Sequence, residues 1–193
     1  MINTHRLIGD NIIKYCNNKN IYLINSSKFI WGNAKPDFVP KYTFKKHYFN
    51  ESIDMVLEKI KYLSLFSSKE FYSKQVIEKF SEELGVLCHF LCDFFCAPHY
   101  YRWEFKSPNA IKNHVMYENE LAKVAKKFIP TVIINETLDL ENIKDFILQL
   151  QKQYDGTLDC NNDLTFSYYV CGSILAMILN SAVENNNIIS NVI

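Results

Sequence analysis

Residues 76–96, VIEKFSEELGVLCHFLCDFFC, constrain this chain most. Val76, Ile77, Phe80, Leu84, Leu87, Leu91 and Phe94 recur with a period near 3.6, which predicts a helix that Pro98 ends. Its second half is too apolar to face water, yet it carries His89 and Asp93. A spacing of four puts these two side chains on one helix face, one turn apart. A buried carboxylate without a partner is costly. The rest of the chain must therefore cover this helix and bring partners to Asp93, or Asp93 must point to the surface.

A second pair with the same spacing follows in NHVMYE, at His114 and Glu118, and His99 lies between the pairs, just past Pro98. Each residue alone has a plain reading, since a single histidine on an apolar face is more often a satisfied core residue than a ligand. Two such pairs with a third histidine between them weigh more, because charged groups inside apolar helices need pairing or a metal. Imidazole nitrogen with carboxylate oxygen suits zinc.

The remaining spacing is also helical. Helices are expected from Thr4, as a cap, to Cys16; from Ser52 to Leu65; from a capping box at Ser67 and Glu70; from after Pro108 to Lys127; from Leu140 to Tyr154; and from Leu164 to Val183. Residues 18–50 read as a long structured loop. No run alternates with period two. The fold class expected is all-α, a single multi-helix bundle of about seven helices over residues 1–193. The apolar stretch 166–183, FSYYVCGSILAMILNSAV, contains serines, an asparagine and a glycine, and reads as a buried core helix rather than a membrane span. The 193 residues, 48% hydrophobic and 15% aromatic, suffice for a core without disulfides.

Lys and Arg number 21, as do Asp and Glu, so net charge gives no case for a polyanionic partner. The six cysteines contain no C-x-x-C pair, and Cys88, Cys92 and Cys96 share one helix face. Buried free thiols in a reducing compartment are expected. The N-terminus lacks a basic start followed by an apolar run, so no signal peptide is seen, and a cytoplasmic location is the default, with secretion left open.

LGVLCHFLCDFFCAPH followed by His-x-x-x-Glu resembles the bacterial zinc-dependent phospholipase C family, whose fold is shared by zinc nucleases of the P1/S1 type. Leu84, Gly85, His89, Asp93, His99, His114 and Glu118 meet the family's pattern. His5, Asp37 and His47 match its upstream residues in order and rough spacing, so all five histidines fall on ligand positions. The resemblance covers residues 1–125, with the later helices as packing. It implies an all-α domain holding two or three zinc ions: Asp37, His47, His89 and Asp93 on one, His99, His114 and Glu118 on a second, and His5 with a bridging Asp93 on a third. Secreted members begin with a Trp that completes the third site, whereas this chain begins with Met1, and the internal Trp31 is no substitute. Gly85 inside a helix is explained by close approach of another backbone.

The implied activity is phosphodiester hydrolysis by a zinc-held hydroxide. Asp37, Asp93 and Glu118 offset half the charge of three Zn²⁺, leaving a surplus for a phosphodiester and a hydroxide. Asp37 is assigned a second role as general base by the resemblance; spacing alone does not separate base from ligand. The expected substrate is a phospholipid, with transient contact to a membrane surface. Nucleic acid enters only in the alternative reading as a single-strand nuclease, beside a soluble phosphodiesterase. A third reading is a non-catalytic helical protein with structural zinc, against which the thiolate-free ligand set argues. Tyr100, Tyr101, Trp103 and Phe105, in HYYRWEF, either wall the substrate site or close the core.

Overall fold

The computed structural model describes residues 2–43, 46–103, 108–131 and 134–190; among these it is all-helical, with no strand. Seven helices exceed one turn: α1 (Ile2–Tyr15), α2 (Ser26–Ala34), α4 (Phe49–Ser64), α5 (Lys74–Phe94), α7 (Ala110–Ala125), α8 (Ile143–Gln153) and α9 (Cys160–Ser190). Two are single turns, α3 (Pro40–Thr43) and α6 (Ala97–Tyr100). The predicted long helix is α5, though it stops at Phe94 rather than at Pro98, which instead sits in the first turn of α6. Its apolar second half lies at the centre of the fold, with Leu84 and every residue from Val86 to Phe94 buried. Helices α2, α4 and α9 pack against it, while α1 bridges α2 and α7. Helix α9 is long and apolar enough to cross a membrane by length and composition, but 67% of its apolar stretch is buried inside the protein, as in a core helix.

Three expectations about local structure change. Residues 18–50 are not a loop: they contain α2, α3 and two 3-10 turns, Ile21–Leu23 and Lys35–Asp37. The Asn25 side chain caps α2 by accepting from Lys28 N–H at 3.1 Å. What holds α2 is a backbone crossing rather than an apolar stripe. A Cβ on Gly85 would lie 2.2 Å from the Phe29 carbonyl oxygen, and one on Gly32 would lie 2.2 Å from that of Glu82. This is the close approach Gly85 was expected to allow.

The capping box at Ser67 and Glu70 forms, but it opens a short 3-10 turn, Ser68–Tyr72, and α5 begins only at Lys74. Thr4 is not a cap, because α1 begins at Ile2. Its hydroxyl instead donates to the Glu118 carbonyl at 3.0 Å and fastens α1 to α7. The six cysteines are free thiols, with Cys92 and Cys171 Sγ atoms 3.7 Å apart.

Candidate metal centre

The residues singled out in sequence converge on Asp93. Its Oδ1 lies 3.2 Å from His5 Nε2 and 3.4 Å from His99 Nε2; its Oδ2 lies 2.7 Å from His47 Nδ1 and 3.1 Å from His89 Nε2. Histidines from α1, the α3–α4 connection, α5 and α6 thus surround one carboxylate. On the α7 side, His114 Nε2 is 2.7 Å from Glu118 Oε1, and His99 Nε2 is 3.7 Å from the same oxygen. Asp37 Oδ1 lies 3.9 Å from His89 Nε2.

Six of these eight side chains are placed by α-helices, while Asp37 ends the 3-10 turn Lys35–Asp37 and His47 lies in the α3–α4 connection. His89 and Asp93, and His114 and Glu118, are i,i+4 pairs on α5 and α7. Pro98 in the first turn of α6 follows the end of α5 and lets His99 turn back. His89 Nδ1 donates to the Asn33 carbonyl at 2.8 Å, which fixes the ring with Nε2 toward Asp93. The Gly32–Gly85 crossing, next to Asn33 on α2 and one turn before His89 on α5, brings that carbonyl close enough.

Three groups place their ligating atoms within 4.8 Å of one another: His5, Asp37 and His89; His47, His89 and Asp93; and His99, His114 and Glu118. The third is the set implied for the second zinc. The first two divide the remaining ligands differently, with His5 beside Asp37 and His89 as well as Asp93. Met1 lies outside the described residues.

The electrostatics suit a cation. Burial alone would raise the Asp93 carboxyl, but His99, His89 and His5 hold it well below the usual range. Burial would lower His5, yet the Asp93 charge raises it well above an ordinary histidine. Burial and His5 push His89 down, toward the neutral imidazole a metal requires. Burial also opposes ionisation of Glu118, but the hydrogen bond from His114 keeps it an anion.

The residues fit zinc. His89 Nε2 and His47 Nδ1 face each other at 3.1 Å, and His5 Nδ1, His99 Nδ1 and Asp37 Oδ2 are buried without hydrogen-bond partners. A buried polar atom left so is expensive unless something else satisfies it. The donors are nitrogen and carboxylate oxygen throughout, with no thiolate.

Sequence reasoning did not find the supports of the second group. Asp163, buried in the first turn of α9, accepts from Ala97 N–H at 3.1 Å, from the Tyr117 hydroxyl at 2.8 Å and from the Tyr154 hydroxyl at 2.5 Å. Ala97 opens the turn that carries His99, and Tyr117 precedes Glu118. The C-terminal helices therefore do more than pack. A lone aspartate near a helix start gives no such signal in sequence.

The aromatic segment divides: Tyr100, 39% exposed, packs on Tyr154 at a centroid distance of 5.1 Å and lines a small cavity beside Asp93 and His99, whereas the half-buried Trp103 packs on Tyr117 at 5.7 Å. Phe105 lies outside the described residues.

No curated protein and no solved structure matches the chain. The family described as zinc dependent phospholipase C matches residues 4–161, which span all eight candidate ligands and stop just short of Asp163. The chain belongs to the zinc-dependent phospholipase C family.

Proposed function

We propose that this chain is a zinc-dependent phosphodiester hydrolase that cleaves a phospholipid, in the manner of a phospholipase C, to diacylglycerol and a phosphorylated head group. The observation that carries this reading is the convergence of His5, His47, His89 and His99 on Asp93, each within 3.4 Å of a carboxylate oxygen. His5, Asp37, His47, His89 and Asp93 would hold zinc on one side, and His99, His114 and Glu118 on the other, for two or three ions in all. Zinc, when bound, lowers the pKa of its water to about 7 and offsets phosphate charge.

The chain's own residues supply the rest. Asp93 links the two halves through one oxygen, since Oδ1 faces both His5 and His99. Asp37 has one oxygen toward His89 and the other, Oδ2, buried without a hydrogen-bond partner. An oxygen so placed can take the proton of an attacking water, which supports its assignment as general base.

Phospholipid is favoured over nucleic acid by the family match. A transient membrane-surface contact is supported by Trp31 and Phe38, which stack at 6.2 Å beside Asp37 while 45% and 49% exposed. Stacked aromatics also suit a nucleobase, so the nuclease reading is tested in parallel. The free thiols support a reducing compartment.

The test is hydrolysis of dihexanoyl phospholipids and of single-stranded DNA by zinc-loaded protein, with Asp37→Asn alongside. Head-group release without DNA cleavage is expected, falling about 100-fold or more in Asp37→Asn while the helical signal persists. DNA cleavage without lipid cleavage overturns the substrate. A variant within a few-fold of wild type removes Asp37 as base.

A further inference from the structure

Asp93 and His99 also line a cavity of about 130 Å³, whose other walls include Tyr48, Asn50, Arg102 and Gln151. A phosphodiester seated at the metal centre has one substituent that can extend into this space. The cavity is of a size for a few heavy atoms rather than an acyl chain, and its walls are mostly polar or aromatic.

Arg102 decides what it takes. The residue sits at φ 51°, in the left-handed region, and its N–H donates to the His99 carbonyl at 3.1 Å. Glycine adopts that backbone without strain, whereas arginine does so at a cost. The position therefore keeps a side chain at the expense of backbone ease. The guanidinium lies 4.7 Å over the Tyr48 ring, and Nη2 meets Glu51 Oε2 at 2.5 Å.

This arrangement disfavours a quaternary ammonium. The aromatic face such a cation would use is already covered by a cation. It favours an anion, because guanidinium is a forked donor matched to carboxylate and phosphate oxygens. Glu51 does not cancel that preference. The pair is 41% and 30% exposed, and exposed ion pairs are weak and readily exchanged. Glu51 meets the guanidinium from outside the cavity's walls and competes with a substrate anion for its N–H groups.

We infer that Arg102 makes this cavity a subsite for a second anionic group, a carboxylate or phosphomonoester carried on the head group beyond the scissile phosphate. The inference rests on the proposal that a phosphodiester binds at the metal centre.

O-Phosphoserine and phosphoethanolamine differ only in a carboxylate, and their binding to zinc-loaded protein, measured by titration calorimetry, isolates the effect. Wild type binds phosphoserine about tenfold more tightly than phosphoethanolamine, and Arg102→Gln brings the ratio near one. Glu51→Gln, which removes the competing carboxylate, tightens phosphoserine several-fold. A purely structural Arg102–Glu51 clamp predicts the opposite sign for Glu51→Gln. The subsite is overturned by a wild-type ratio near one, by no detectable binding of phosphoserine, by a ratio that survives Arg102→Gln, or by weaker phosphoserine binding in Glu51→Gln. Dihexanoyl phospholipid turnover separates the two claims. Selective binding without turnover leaves the subsite standing and removes the hydrolase, and turnover without selectivity does the reverse.

Discussion

Two buried carboxylates organise the site by opposite means. Asp93 is fully enclosed and surrounded by imidazoles, so its charge is balanced by groups that a cation would bring into register. Asp163 is equally enclosed but meets only neutral donors, a backbone N–H and two tyrosine hydroxyls, and burial pushes its carboxyl up to about 6. Its hydrogen bonds hold the α6 turn and α7 at a set separation, and so hold His99 against His114 and Glu118. Asp163→Asn offers one acceptor oxygen and an NH₂ to three donors. We expect a loss of about 1 to 3 kcal/mol in stability. We also expect about 10- to 100-fold weaker zinc binding at the His99 group, the range for partners that orient ligands. A zinc titration of the variant checks this: the weakening should fall on one class of site. Equal weakening of all sites would mean that Asp163 only supports the fold.

At the scale of elements, the crossing of α2 and α5 governs His89. Phe29, Gly32 and Asn33 meet Gly85 across backbones, and the Asn33 carbonyl then reaches His89 Nδ1. In an exposed helix, glycine to alanine stabilises by about 1 kcal/mol. Here the added Cβ would meet the Phe29 carbonyl oxygen at 2.2 Å, so Gly85→Ala should destabilise by about 2 to 3 kcal/mol, read by thermal or urea unfolding. A stabilised variant would mean that the helices do not cross at this point.

That crossing also shows where sequence reading succeeds and fails. Gly85 was conspicuous because it interrupts a strong apolar period, and close backbone approach was the reason available. Its partner helix was invisible, because Phe29, Gly32, Asn33 and Ala34 bury a short face with little apolar periodicity. The capping box at Ser67 was legible as chemistry but not in its length, since a 3-10 turn and an α-helix share the same first hydrogen bonds.

Across the whole molecule, α5 carries the two central candidate ligands, and the other six candidates come from elements at its flanks. The i,i+4 pairs were legible because a helix converts sequence spacing into distance. His5 and Asp37 were not legible by spacing. His5 is 88 positions from Asp93, and only packing of α1 brings it to 3.2 Å. Their placement in advance came from family resemblance, as did the zinc count. The cavity beside Asp93 was beyond reach for the same reason: Glu51 and Arg102 are distant in sequence and meet at the edge of the centre.

The most direct test is the metal content of wild type and Asp93→Asn after chelation and reloading, by elemental mass spectrometry with X-ray absorption at the zinc edge. Two or three zinc ions per chain with only nitrogen and oxygen neighbours, reduced in Asp93→Asn, is the result expected. A folded wild type that takes up no zinc, or binds it through sulfur, would contradict the centre built on Asp93.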